Sequence, residues 1–157
     1  MTDSYLAPAS LAAARTRLQA MAGSESVQLT ARPFETQGFK ISASVDTVSA
    51  DMVLWRWDRQ SLEVLSKQLK PGTILVFLEP TAELGWRRVL HRYGRPVIRT
   101  LLRHHFETDV PAELRRAGLM VTTTIRFSTG PAGFRSYVLG RAEHITPAER
   151  HSSDQLG

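Results

Sequence analysis

The sequence predicts an α/β fold, a mostly parallel sheet with helices on its faces, and three adjoining stretches carry that expectation. Residues 44–49 (SVDTVS) are rich in β-branched side chains and read as a strand. Residues 59–69 place Leu62, Leu65 and Leu69 at i, i+3 and i+7, one apolar stripe of a helix. Residues 73–78 (TILVFL) form an unbroken apolar run, as expected of a strand covered on both sides. Between helix and second strand, Lys70-Pro71-Gly72 supplies a cation near the last carbonyls, a residue that cannot continue the helix, and a glycine for the turn. Strand, helix, tight turn and buried strand make a βαβ unit, whose crossover is expected to be right-handed.

The flanks extend this unit. Residues 10–22 (SLAAARTRLQAMA) favour a helix with Leu11, Ala14, Leu18 and Met21 on one side, and Gly23 ends it. Residues 27–31 (VQLTA) are a short strand candidate, followed by a polar connection through residue 43 with Pro33 and Gly38 as breakers. Residues 82–93 and 96–104 read as two short Arg-rich helices, with Pro96 near the start of the second. Asp109 is placed to cap a further short helix through Ala117, closed by Gly118. Residues 119–127 (LMVTTTIRF) and 134–141 (FRSYVLGR) read as strands joined by a turn-rich connection. One domain over residues 1–142 and a polar tail over 143–157 are expected.

Composition sets limits on function. The chain has 157 residues, 42% of them hydrophobic, enough for one domain with a core of its own. No apolar run approaches the roughly 18 residues of a membrane span, and no secretory signal pattern opens the chain. There is no Cys, which removes disulfides and cysteine metal sites and suits a reducing cytoplasm. The net charge of +5 comes mainly from Arg and suits an anionic partner, without identifying one.

Val45-Asp46-Thr47-Val48, the helix after it, and Leu69-Lys70-Pro71-Gly72 before TILVFLEP resemble the second half of a class I S-adenosylmethionine-dependent methyltransferase. The likeness lies nearest the small-molecule, type 11-like branch and covers roughly residues 1–142, through the order of elements more than any single motif. It implies a Rossmann-like methyltransferase sheet in which the strand at residues 134–141 slots antiparallel into an otherwise parallel array. It also implies methyl transfer from S-adenosylmethionine to a small-molecule acceptor.

The resemblance starts late. The family's first strand ends in an acidic residue and a Gly-x-Gly loop, where only glycine lets the backbone approach the cofactor closely. None of the ten glycines here forms G-x-G. The expectation is therefore a sheet lacking its N-terminal strand or strands, a truncated frame with an in-frame upstream segment carrying that motif. The strands at Val27 and Ser44 would be left with open edges, to be covered by direct re-pairing, by a homodimer, or not at all.

For the cofactor, the resemblance implies Asp3 at the ribose and Phe34, with Glu35 adjacent, at the adenine. A core role for Phe34 and a terminal, solvated role for Asp3 are the competing readings. Ligands of open α/β sheets sit beyond the carboxyl ends of the strands, which points to residues 50–58 and 79–86. Substrate-facing candidates are Trp55, Trp57, Asp58, Glu79, Trp86 and His91. Ordinary packing is the favoured role for the tryptophans, and capping of the next helix for Asp58. Glu79, following Leu78, is a candidate to order the pocket wall. His104 and His105 are adjacent and cannot readily converge on one metal from a helix, so no metal site is expected.

Arg88, Arg92, Arg95, Arg99 and Arg103 recur near helical spacing, with Arg87 beside them. They offer either a solvated basic surface, the favoured role, or contact with an anionic partner. Nucleic acid is the weaker option, because a single aromatic, Tyr93, stands among them and makes no stacking series. Three functions follow: a methyltransferase, a noncatalytic methyltransferase-like interaction protein, or a basic binding module.

Overall fold

The computed structural model describes residues 7–30, 45–81, 109–129 and 135–145. Their elements are α1 (Leu11–Ala22), β1 (Val27–Gln28), β2 (Thr47–Asp51), a 3-10 turn (Leu54–Arg56), α2 (Arg59–Gln68), β3 (Ile74–Pro80), α3 (Val110–Arg116), β4 (Leu119–Thr129) and β5 (Arg135–His144). The strands form one sheet in the order β1-β2-β3-β5-β4. β1, β2 and β3 run parallel, and β5 lies antiparallel between β3 and β4. The mixed α/β sheet with a reversed C-terminal strand is thus the one the sequence predicts. β5 runs to His144, three residues beyond the strand expected over 134–141.

The central unit forms for the reasons its sequence suggests. Leu62, Leu65 and Leu69 are all buried, so the apolar stripe of α2 is its inward side. Gly72 takes φ 83°, a left-handed conformation that suits glycine, and the turn is stapled to the end of β5 by Gly72 N–H donating to His144 O at 2.7 Å. Leu75, Val76, Phe77 and Leu78 are each fully buried. Leu75 and Phe77 pack toward α2 and α3, with Leu62, Leu65 and Leu114. Val76 and Leu78 pack toward α1, with Ala14, Leu18 and Leu139. A continuous apolar strand is therefore covered on both sides, in three layers.

At the centre, shape decides the residue. A Cβ on Gly140 of β5 would lie 2.4 Å from Phe77 Cζ and 2.8 Å from Thr123 O, so only glycine fits where the ring crosses the neighbouring strand.

One feature departs from the expected picture and a second realises one of its alternatives. β4 carries a bulge between Val121 and Thr123, which shifts its register against β5 by one residue. Before the bulge Val121 packs in the core with α3, and after it Phe127 packs in the core with α1, at 5.6 Å from the Tyr137 ring. One inserted residue has moved the apolar set across the sheet. The second feature concerns the expected open edges. Val27 and Gln28 pair directly with Val48 and Ser49, so β1 and β2 adjoin with no strand between them. Of the routes expected for covering those edges, direct re-pairing is the one this structure adopts.

Candidate functional site

The carboxyl ends of β2 and β3 lie side by side, with Asp51 paired to Leu78. Beyond β2 the chain turns sharply. Met52 donates its N–H to Leu78 O at 2.8 Å and takes φ 57°, a left-handed conformation uncommon for a side chain other than glycine. The 3-10 turn Leu54–Arg56 follows, then Asp58 at the start of α2.

Glu79 of β3 holds this turn. It is wholly buried, and its Oε1 accepts from Val53 N–H at 3.2 Å and Leu54 N–H at 3.0 Å. Its Oε2 accepts from Trp55 N–H at 3.3 Å. These are the amides at the start of a 3-10 turn, which have no carbonyl within the turn to receive them. Burial raises the Glu79 carboxyl to about 8, the three amides opposing the rise and the nearby charge of Asp51 adding to it. All three contacts come from N–H donors, which favour the carboxylate, while burial favours the acid and outweighs them.

The other predicted residues divide. Trp55 is half-buried; its indole Nε1–H donates to Met52 O at 2.9 Å, and the Arg56 guanidinium lies 5.0 Å from its ring centroid. Trp57 is buried in the core with Leu62 and Leu65. Asp58 is exposed and caps α2, accepting from Ser61 N–H at 2.7 Å, and hydrogen bonding by Ser61, through its hydroxyl and then its backbone, holds its carboxyl below the usual range. Trp57 and Asp58 thus have the packing and capping roles that were favoured for them. Trp55 and Glu79 are brought together at the turn. Asp3, Phe34, Glu35, Trp86 and His91 lie outside the described residues, as do His104, His105 and the Arg series at 87–103.

Two residues escaped sequence reasoning. Asp51, the last residue of β2, receives Arg15 Nε–H from α1 at 2.8 Å on Oδ2, while its Oδ1 is buried without a hydrogen-bond partner. Asp51 lies within the stretch that topology marks, at a strand's carboxyl end. Arg15 sits on an Ala-rich helix, and nothing local tells that it reaches across to the sheet.

The described residues do not compose a cradle for S-adenosylmethionine. Beside β2 stand Val27, Gln28 and buried Leu29, whose N–H donates to Ser49 O at 2.8 Å, and no glycine there opens the backbone to a ligand. Among the described residues no group of three His, Asp or Glu side chains gathers to hold a metal ion, and no helix is long and apolar enough to cross a membrane.

No protein-family model matches the chain, and no curated protein matches it. Several solved structures are similar. A SAM-dependent methyltransferase from Methanosarcina mazei is 14% identical, with 66% of this chain and 61% of that one covered and a TM-score of 0.48. A putative methyltransferase from Bacillus halodurans is 11% identical, with 65% of each chain covered and a TM-score of 0.48. A putative sarcosine dimethylglycine methyltransferase from Galdieria sulphuraria is 10% identical, with 65% and 54% covered and a TM-score of 0.46. The chain spans less than two thirds of the length of each.

Proposed function

We propose that this chain is a methyltransferase-like domain whose ligand side is the carboxyl edge of β2 and β3, built for a small-molecule methyl acceptor. The observation that carries this is the antiparallel insertion of β5 between β3 and β4. An ordinary doubly wound sheet has no such strand, whereas the resemblance of residues 45–80 and 134–141 implies it. The acceptor-facing groups in this reading are Trp55 and the turn around it, with Trp86 and His91 as further candidates, and S-adenosylmethionine is the donor the family uses. The type 11-like branch and a cytoplasmic location belong to the same proposal.

The chain's own affinity for the donor is expected to be weak. It has no G-x-G, and Val27–Gln28 stands directly beside β2. Each lost charged hydrogen bond removes about 1.5–3 kcal/mol. Isothermal titration of the purified chain with S-adenosylmethionine is the test. A dissociation constant weaker than about 50 μM, roughly −6 kcal/mol, is expected; tighter binding would establish a competent cofactor site and overturn this part of the reading.

The direct β1–β2 pairing also favours a second reading, a noncatalytic methyltransferase-like domain that works through interaction, as a homodimer or with another partner. It stands if the chain neither binds the donor nor transfers a methyl group. A basic module acting through Arg87–Arg103 is the third option, marked by a salt-dependent affinity for polyanions.

A further inference from the structure

We propose that Glu79 is the positioning residue of the carboxyl edge, and that the proton on its buried carboxyl sets the shape of the Met52–Trp55 turn. The inference rests on the reading of that edge as the ligand side, because only then does the turn's shape matter to a ligand. Three observations combine here. All of the turn's leading amides, from Val53, Leu54 and Trp55, converge on this one carboxyl. Met52, immediately before them, is held in a left-handed conformation, so the turn does not rest in its own lowest-energy form. The Trp55 indole closes back on Met52 O, which ties the half-buried aromatic to the same backbone. A group that touches no solvent therefore fixes where Trp55 stands.

The two protonation states hold the turn differently. The carboxylate presents two full acceptors to the three N–H groups, whereas the neutral acid replaces one of them with a hydroxyl, itself a donor. Ionisation turns that hydroxyl into an anionic acceptor and draws the turn's amides in, since charge-assisted hydrogen bonds are shorter and stronger. Among the described residues, few charged groups stand near this switch. The residues packed toward this side from α2, α3 and β5 are apolar, among them Leu62, Leu65, Leu114 and Val138. Asp51 on β2 contributes a negative charge, is itself bridged to Arg15 of α1, and Arg56 stacks over Trp55 at the rim.

The test needs no ligand, so its outcome is separate from that of the methyltransferase reading. Two-dimensional nitrogen-15 NMR of the full chain is recorded from pH 6 to 9.5, following the amides of Val53, Leu54 and Trp55 and the Trp55 indole. These four signals are expected to move together with one midpoint near 8, while the amides of Val76 and Leu139 stay still. In Glu79→Gln the movement is expected to vanish. In Asp51→Asn the shared midpoint is expected to fall, because a repelling charge is gone. If Glu79→Gln does not fold, the wild-type and Asp51→Asn titrations decide alone. Turn signals that stay fixed, that move with unrelated midpoints, or that still titrate in Glu79→Gln would overturn the proposal.

Discussion

At the centre of the sheet Phe77 and Gly140 meet by shape, while at its carboxyl edge Val53, Leu54 and Trp55 are held by the polar atoms of Glu79. Both places are buried, and both lie on β3, two residues apart. Phe77 sits among apolar neighbours on the α2 and α3 side of the sheet, where close packing supplies stability and leaves nothing to titrate. Glu79 sits where the strand ends and the backbone must turn, so its surroundings are amides that need an acceptor. The strand passes from a purely apolar interior to a polar clamp within one step of its side-chain alternation. The first arrangement tolerates no change of volume, and the second tolerates no loss of acceptors.

The comparison can be broken most severely at its apolar end. Phe77→Ala is expected to cost roughly 3–5 kcal/mol in chemical denaturation, from lost transfer energy and a cavity. A loss below about 1 kcal/mol would mean that β3 is not the centre of the core. Next in size, Gly140→Ala should cost about 1–3 kcal/mol by overpacking, and Phe77→Leu in the same chain should recover part of it. Independent, additive losses from the two changes would show that the ring and the glycine do not meet.

Much of this was legible in the sequence because it is local. The stripe Leu62, Leu65, Leu69 has helical spacing, Lys70-Pro71-Gly72 has the chemistry of a stop, and TILVFL is apolar throughout; each says what it does within a few residues. Asp58 before Arg59 is a cap by the same local rule, and it is one. What was not legible depends on partners far along the chain. The bulge of β4 exists only against β5, and LMVTTTIRF reads as a plain strand by itself. Residues 54–56 carry no mark of a 3-10 turn, since what stabilises it is a carboxyl on another strand. Glu79 shows the limit most clearly. Its place after Leu78 marks it as a candidate to order the pocket wall, but nothing local tells that it is buried completely, with the free amides of the turn beyond β2 as its donors.

The contrast between shape and polar clamp is tested most directly by how stability depends on pH. The Glu79 carboxyl is raised from 4.5 to about 8 in the folded chain, so the fold binds a proton that the unfolded chain releases earlier. Stability from this group is fully present below about pH 4.5 and is lost as pH rises through about 8. Unfolding free energies of the wild type and of Glu79→Gln are measured by urea denaturation from pH 5 to pH 9, and their difference removes the effect of all other groups. The wild type is expected to lose ground against Glu79→Gln by more than about 1 kcal/mol across that window, since each pKa unit is worth about 1.4 kcal/mol. A difference that is flat, or that favours the wild type increasingly as pH rises, would show that Glu79 is an ordinary carboxylate in the fold and would contradict the account.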